Sequence, residues 1–220
     1  MASHREEEQW AALRRSFTQA FTSLELGRRR WAKLSEEGKR ALSHCTNSHL
    51  KLHYAEGEPS ASPVRRQLAL RALQQQQRSQ DEARALLAEL EGVLVKMQEA
   101  VALLRRRVEQ AEAGRSAVRD AALFPSGLRA GDLLGCLEGF TSAYAREMAL
   151  RRELVRELCG GWAREDVSSW ESGARLALSA WVMQPYIEDA PMDLFFEEHS
   201  AEGIVSPPSG NRGQRHERKG

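Results

Sequence analysis

The sequence predicts an all-α protein in which two long N-terminal helices pair as an antiparallel hairpin and a smaller pair of helices follows. The clearest evidence is the stretch 83–111, where apolar residues recur at spacings of three and four. Such spacing places one apolar stripe along a helix. About thirty residues at roughly 1.5 Å each make a rod of about 45 Å, and a stripe of that length requires partner helices. The stripe consists of Leu87, Leu90, Leu94, Met97, Val101, Leu104, Val108 and Ala111.

The preceding segment, from about residue 5 to 54, has the same spacing. Its stripe consists of Trp10, Leu13, Phe17, Ala20, Leu24, Trp31, Leu34, Ala41, Cys45 and Leu52. Gly27 and Gly38 fall on this stripe, where each costs about 1 kcal/mol of helix propensity relative to Ala and indicates a bend or a close approach of another helix. The linker 56–63 has the composition of a turn, with Ser62 suited to cap the next helix and Pro63 to begin it. A linker this short predicts that residues 5–113 form one helical hairpin.

The C-terminal region, 126–198, contains two further predicted helices. The first spans about 131–158, and the second carries Trp170, Ala174, Leu178 and Trp181. Pro185 should end the second helix and turn the chain at Gln184, because the residue before a proline avoids helical geometry. Beyond it, 192–196 is a short apolar cluster among acidic residues, and the Gly-, Pro- and charge-rich tail 200–220 is expected to be disordered.

The composition argues against several classes of function. The net charge of +1 gives no general reason to expect binding to nucleic acid or a membrane. The chain begins without a signal peptide and contains no run of eighteen apolar residues, which predicts a soluble, intracellular protein. It has no phosphate-binding glycine loop, no metal-binding cysteine pair and no nucleophile elbow. We therefore expect no enzyme and no catalytic, cofactor or metal site.

Two local patterns have a more specific alternative. Cys45, His49 and His53 lie four residues apart on one helix face, but all three span about 12 Å, too far for a single metal ion, so we interpret them as the polar edge of a stripe. The arginine runs 28–30 and 105–107 are flanked by acidic residues and are typical of solvated faces rather than of a nucleic-acid site. The three cysteines, widely separated, predict buried free thiols.

The linker also carries two short signalling patterns. The sequence 62–65, Ser-Pro-Val-Arg, has the proline-directed form that cyclin-dependent kinases accept, with Ser62 as the acceptor. The next residues include Arg66 and Leu68 in the basic-x-leucine form used for cyclin docking. The structural alternative is that Ser62 is only a helix cap and Leu68 only a core residue.

Two stretches, 144–158 and 178–188, together resemble the cyclin-dependent kinase 2-interacting protein family. The second carries the family's serine–tryptophan–glutamine–proline–tyrosine–glutamate pattern as Ser179, Trp181, Gln184, Pro185, Tyr186 and Glu188. In the first, like residues stand at Tyr144, Glu147, Leu150, Arg152, Glu157 and Leu158. The resemblance covers about 45 residues and is weak before residue 80.

The resemblance implies a nuclear, non-enzymatic adaptor, with the cytoplasm as a second location. Such proteins associate with cyclin-dependent kinase and with replication and checkpoint proteins. They also join a second small helical protein as accessory subunits of an AAA-type ATPase complex linked to ribosome maturation and genome maintenance. The expected partner-binding residues are Tyr144, Trp181, Gln184, Pro185, Tyr186 and Glu188, although an aromatic residue such as Trp181 at helical spacing also suits a core. The rival interpretation is a structural coiled-coil subunit of a cytoskeletal or tethering complex.

Overall fold

The computed structural model describes residues 4–56, 62–113, 129–160 and 167–201, and these residues form five helices and no sheet. Helix α1 spans His4–Glu56, α2 Pro63–Ala113, α3 Ala130–Gly160, α4 Val167–Met183 and α5 Asp189–Ala201. The all-α prediction is confirmed. Helix α1 is continuous through both glycines of its stripe.

Helices α1 and α2 pack against each other in antiparallel order, as the short linker predicts. Arg30 of α1 pairs with Glu89 of α2, and His49 lies beside Gln76, closer to the linker. Most predicted stripe residues are buried, but Trp10, Leu52, Leu87 and Ala111 are only half-buried. The periodicity therefore identified the contact faces of both helices.

Ser62 caps α2. Its hydroxyl oxygen accepts a hydrogen bond from the backbone N–H of Arg65 at 3.4 Å, and its carbonyl oxygen accepts one from the N–H of Arg66 at 3.2 Å. Pro63 is the first residue of the helix, where its missing N–H costs nothing. The cap is confirmed, while linker residues 57–61 lie outside the described residues.

The C-terminal region differs from the prediction, because it contains three helices rather than two. The apolar cluster 192–196 belongs to α5, with Asp189 and Pro191 in its first turn, where an acidic residue suits the helix dipole and proline is tolerated. Met192 and Phe196 bury one face of this short helix, which tertiary packing stabilises and propensity alone does not. Residues 200 and 201, predicted to begin the disordered tail, are instead the last two residues of α5. Residues 114–128 and the rest of the predicted tail, 202–220, lie outside the described residues.

Contacts divide the chain into two compact units. The first unit comprises 1–25, 100–137 and 189–220; within it, Phe21 stacks on Phe195 with ring centroids 5.3 Å apart. The second unit comprises 26–99 and 138–188. Each unit thus combines part of the predicted hairpin with part of the C-terminal region.

In the second unit, α3 lies alongside α1. Tyr144 meets Trp31 edge-on at 5.0 Å between ring centroids, and the Cys45 sulfur lies 3.6 Å from the Leu158 carbonyl oxygen. These contacts are fourteen residues apart on both helices, about 21 Å of helix. Helix α3 therefore follows α1 in the same direction over at least this length.

The stripe glycines allow close approach rather than a bend. A Cβ atom on Gly27 would lie 2.6 Å from Met97 Cγ, and one on Gly38 would overlap the indole ring of Trp181. Gly92, which lies off the stripe of α2, has open space around it. The helix-propensity cost at Gly27 and Gly38 is offset by contacts that no larger residue permits.

We expect Gly38→Ala to destabilise the protein by up to about 2 kcal/mol, because an overpacking cost of about 1–3 kcal/mol exceeds a helix-propensity gain of at most about 1 kcal/mol. Gly92→Ala is the matched control and should stabilise by about 0.5–1 kcal/mol. Urea unfolding followed by circular dichroism measures both. An equal gain in both variants would contradict the packing of Trp181 on Gly38.

Candidate partner-binding site

A fully buried ion pair lies at the centre of the second unit. Glu147 and Arg151 are one turn apart on α3, both side chains are 0% exposed, and Arg151 Nε donates to Glu147 Oε1 at 3.0 Å. Burial lowers the pKa of Arg151, while the charge and hydrogen bond of Glu147 act in the opposite direction. A guanidinium group does not lose its proton in proteins, so Arg151 stays charged and needs a partner for its charge.

Two tryptophans enclose the guanidinium group. Its central carbon lies 4.2 Å from the Trp181 ring centroid and 5.2 Å from that of Trp31, which places the cation against two aromatic rings. The Trp181 indole N–H donates to the Ser35 carbonyl oxygen at 2.9 Å. Arg151 therefore holds α1, α3 and α4 of this unit together through specific contacts rather than through apolar packing alone.

Gln184 connects this cluster to the end of α4. Its side-chain Oε1 accepts hydrogen bonds from Arg151 Nη2 at 3.0 Å and from the Trp31 indole N–H at 3.1 Å. Two donors match the two lone pairs of an amide oxygen. The backbone of Gln184 has φ of 47°, a left-handed conformation that costs a residue other than glycine about 1–2 kcal/mol. The buried hydrogen bonds of its side chain explain why glutamine occupies this position.

The chain then makes a tight turn from Gln184 to Ile187. The Ile187 N–H donates to the Gln184 carbonyl oxygen at 2.9 Å, and the Tyr186 N–H donates to Glu147 Oε2 at 3.4 Å. Ile187 is buried, whereas Pro185 and Tyr186 at the tip are exposed. The turn predicted at Gln184 is confirmed, and the buried ion pair holds its backbone directly.

Exposed apolar side chains surround the turn. Met183, immediately before it, is 76% exposed, and Leu176 lies seven residues earlier on the same face of α4. Tyr186 is 44% exposed, and the Arg146 guanidinium lies 5.7 Å from its ring centroid. We call Met183, Pro185, Tyr186 and Glu188 the turn surface. It combines an apolar and aromatic centre with charged neighbours, the composition of protein-binding surfaces.

The structure separates the predicted partner-binding residues into two groups. Tyr144 and Trp181 are almost fully buried, and Gln184 directs its side-chain oxygen into the cluster, so these three hold the site from inside. The burial of Trp181 favours the alternative interpretation that it anchors the core. Pro185, Tyr186 and Glu188 reach solvent. The residues that carry the family resemblance therefore include both the interior support and the exposed tip.

Sequence reasoning missed Arg151. The apolar residues of α3 recur at spacings of three and four up to Met148 and then resume at Val155, and Arg151 occupies the skipped position. A charged residue on an otherwise apolar stripe, four residues after Glu147, was the available signal. An arginine is rarely buried unless it is paired, so its position on the stripe alone does not predict burial.

The linker residues remain accessible. Ser62, Arg66 and Leu68 are exposed, with Leu68 56% exposed on the first turns of α2. The alternative that Leu68 is a core residue is therefore wrong, because no described helix covers it. Kinase acceptance at Ser62 and cyclin docking through Arg66 and Leu68 stay predictions.

The cysteine and histidine pattern of α1 contributes to packing. Cys45 and Cys159 are buried free thiols, as predicted, but Cys136 is exposed, so the prediction was wrong for that residue. The hydrogen bond with Cys45 and, to a smaller extent, burial raise the pKa of the Cys159 thiol, which keeps it protonated. His49 packs against Trp170 at 4.5 Å between ring centroids. Within the described ranges, no group of three acidic, histidine or cysteine residues could hold a metal ion.

None of the helices in the described part of the chain is both long and apolar enough to cross a membrane. No protein-family model matches this chain, and no curated protein sequence matches it. The kinase-interacting-protein resemblance therefore stays a hypothesis from the two C-terminal stretches.

We expect Arg151→Met to destabilise the protein by about 3–5 kcal/mol, because it leaves the Glu147 carboxylate buried without its partner. Adding Glu147→Leu should recover a large part of that loss, since removing both charges avoids an unpaired one. Urea unfolding of the single and double variants measures the coupling. Strictly additive losses would contradict a buried, interacting pair.

Proposed function

We propose that this protein is a non-enzymatic nuclear adaptor and that the turn surface is one of its partner contacts. The observation that carries the proposal is an exposed Pro185–Tyr186 tip held by a buried ion pair. A rigid aromatic side chain loses little conformational entropy on binding, and a preorganised turn lowers the cost further.

The partners proposed follow from the family resemblance. They are a cyclin-dependent kinase, replication and checkpoint proteins, and an AAA-type ATPase with a second small helical subunit. Several residues that carry the resemblance lie together around Arg151, namely Tyr144, Glu147, Trp181 and Gln184. Their proximity supports the resemblance, because these residues form one structural unit. We assign the turn surface to the ATPase and its helical subunit, with roles in ribosome maturation and genome maintenance.

The rival function is a structural coiled-coil subunit of a cytoskeletal or tethering complex. The pairing of helices α1 and α2 favours this function as much as it favours the adaptor. Affinity capture from nuclear extract separates the two. Recovery of the ATPase subunits or the kinase supports the adaptor, whereas recovery of tubulin-associated proteins without them supports the rival.

We expect Tyr186→Ala to weaken binding to the purified helical subunit and its ATPase by about 1–2 kcal/mol, or about 5- to 30-fold in Kd. The fold should survive, because Tyr186 contacts Glu147 through its backbone N–H, which alanine keeps, and its side chain is exposed rather than part of the core. Leu26→Ala is the matched control, since Leu26 is an exposed apolar residue of the same unit.

Isothermal titration calorimetry measures the affinities, and the melting temperature reports the fold. Unchanged affinity in a folded Tyr186→Ala variant would reduce the turn surface to an ordinary helix end. An equal loss in Leu26→Ala would show that the effect is not specific to the turn.

The linker prediction is tested separately. We expect a cyclin–kinase pair to phosphorylate Ser62, because Ser62 is exposed and followed by Pro63. A phosphate there would lie at the positive end of the α2 dipole, which stabilises it. Arg66→Ala combined with Leu68→Ala should lower the initial rate if these residues capture the cyclin. Equal rates would remove the docking hypothesis, and undiminished phosphate incorporation in Ser62→Ala, measured by mass spectrometry, would show that Ser62 is not the acceptor.

A further inference from the structure

The linker end of the second unit exposes apolar side chains that no described helix covers. Val64, Leu68 and Leu70 at the start of α2 are 56–65% exposed, and the first buried apolar residue of α2 is Ala72. Tyr54, near the end of α1, is also exposed. The apolar character of the paired helices therefore extends beyond the part of the hairpin that α3 and α4 cover.

Two of these side chains, Tyr54 and Leu68, line a groove between α1 and α2. It has a volume of about 650 Å³, and its apolar lining includes Tyr54, Leu68 and Ala72. The lining residues follow the spacing of three and four along α2 and the matching turns of α1. A groove bounded by two helices at this spacing suits a third helix that inserts one apolar face.

The groove has a basic rim. Lys51 of α1 and Arg71 of α2 line it, together with Arg65. The segments 38–55 and 62–80 contain no aspartate or glutamate, and their positive residues are Lys39, Arg40, Lys51, Arg65, Arg66, Arg71 and Arg78. Residues 38–80 carry these seven positive residues against two acidic ones, Glu56 and Glu58, whereas the whole chain has a net charge of only +1, so this end of the hairpin concentrates positive charge. The N-terminal end of α2, which carries no acidic residue in its first turn, adds to the positive potential.

We propose that this groove binds an acidic amphipathic helix from a partner protein. Leucine-like side chains of that helix occupy the groove beside Leu68 and Tyr54, and its carboxylates face Lys51 and Arg71. A second copy of this chain is a poor occupant, because two basic surfaces repel each other. Nucleic acid would satisfy the charges but leave the apolar lining uncovered. This surface shares no lining residue with the turn surface and shares only Leu68 with the cyclin-docking pattern, and an acidic helix as its occupant goes beyond the proposed function.

The experiment begins with selection from a displayed library of 20-residue helical peptides on the full-length protein. We expect enriched peptides to be acidic, with apolar residues at spacings of three and four. Fluorescence anisotropy then measures the selected peptide, a scrambled peptide of the same composition, a duplex RNA and vesicles containing anionic lipid. The selected peptide should bind at least about tenfold tighter than its scrambled form, and its affinity should fall as salt screens the charges.

Two pairs of variants locate the site. Leu68→Ala should weaken peptide binding about tenfold, whereas Leu103→Ala, a leucine of similar exposure elsewhere on α2, should not. Lys51→Glu combined with Arg71→Glu should weaken it further, whereas Lys96→Glu combined with Arg106→Glu should leave it unchanged. All altered side chains are exposed, and circular dichroism confirms that each variant folds.

Three results would overturn the proposal. The first is enrichment of neutral or basic peptides, or of no peptide at all. The second is an equal loss of peptide binding in the groove variants and the control variants. The third is binding of the RNA or the vesicles that is tighter than binding of the peptide and is lost in Leu68→Ala. The last result would assign the groove to nucleic acid or to a membrane surface instead.

Discussion

The packing of the second unit depends on one buried guanidinium group. Arg151 satisfies the Glu147 carboxylate, lies between two indole rings and donates to Gln184, so one side chain connects three helices and a turn. A buried ion pair contributes little net stability compared with a well-packed apolar core, but its geometry is specific. Apolar contacts are non-directional, whereas Arg151 donates directional hydrogen bonds to the Trp181 carbonyl oxygen and to Gln184. The cluster therefore contributes more to the specific geometry of the packing than to its net stability.

That precision extends to the protein surface. Gln184 adopts a left-handed backbone conformation, which the hydrogen bonds of its side chain within the cluster stabilise. Two residues later, the backbone N–H of Tyr186 donates to the Glu147 carboxylate. The interior charge pair thus fixes the direction in which Pro185 and Tyr186 leave the helix. An adaptor gains from such an arrangement, because a contact residue that is already in place pays less entropy when the partner arrives. The residue that joins the buried cluster, Gln184, and the exposed residues Pro185 and Tyr186 are consecutive in sequence.

The hairpin offers a different kind of surface. Between Gly27 and Gly38, helix α1 is covered on its apolar face by side chains that approach its backbone closely. Toward the linker that cover ends, while apolar residues and positive charge continue. Exposed apolar side chains beside concentrated positive charge are typical of surfaces that bind another molecule. Two chemically distinct exposed surfaces on one helical unit support the proposal of an adaptor.

Periodicity alone determined the fold class, the two long helices and the faces by which they pair. Apolar residues at spacings of three and four leave a helix no other way to bury its stripe, and an eight-residue linker allows only antiparallel pairing. Local chemistry also determined the Ser62 cap and the turn before Pro185, because both depend on neighbouring residues. Helix α5 escaped prediction because its short apolar cluster becomes a helix only when Met192 and Phe196 are buried. The ion pair of Arg151 was decided by tertiary structure: whether an arginine is solvated or buried depends on residues 31, 181 and 184, which are distant in sequence and meet it only after the helices pack.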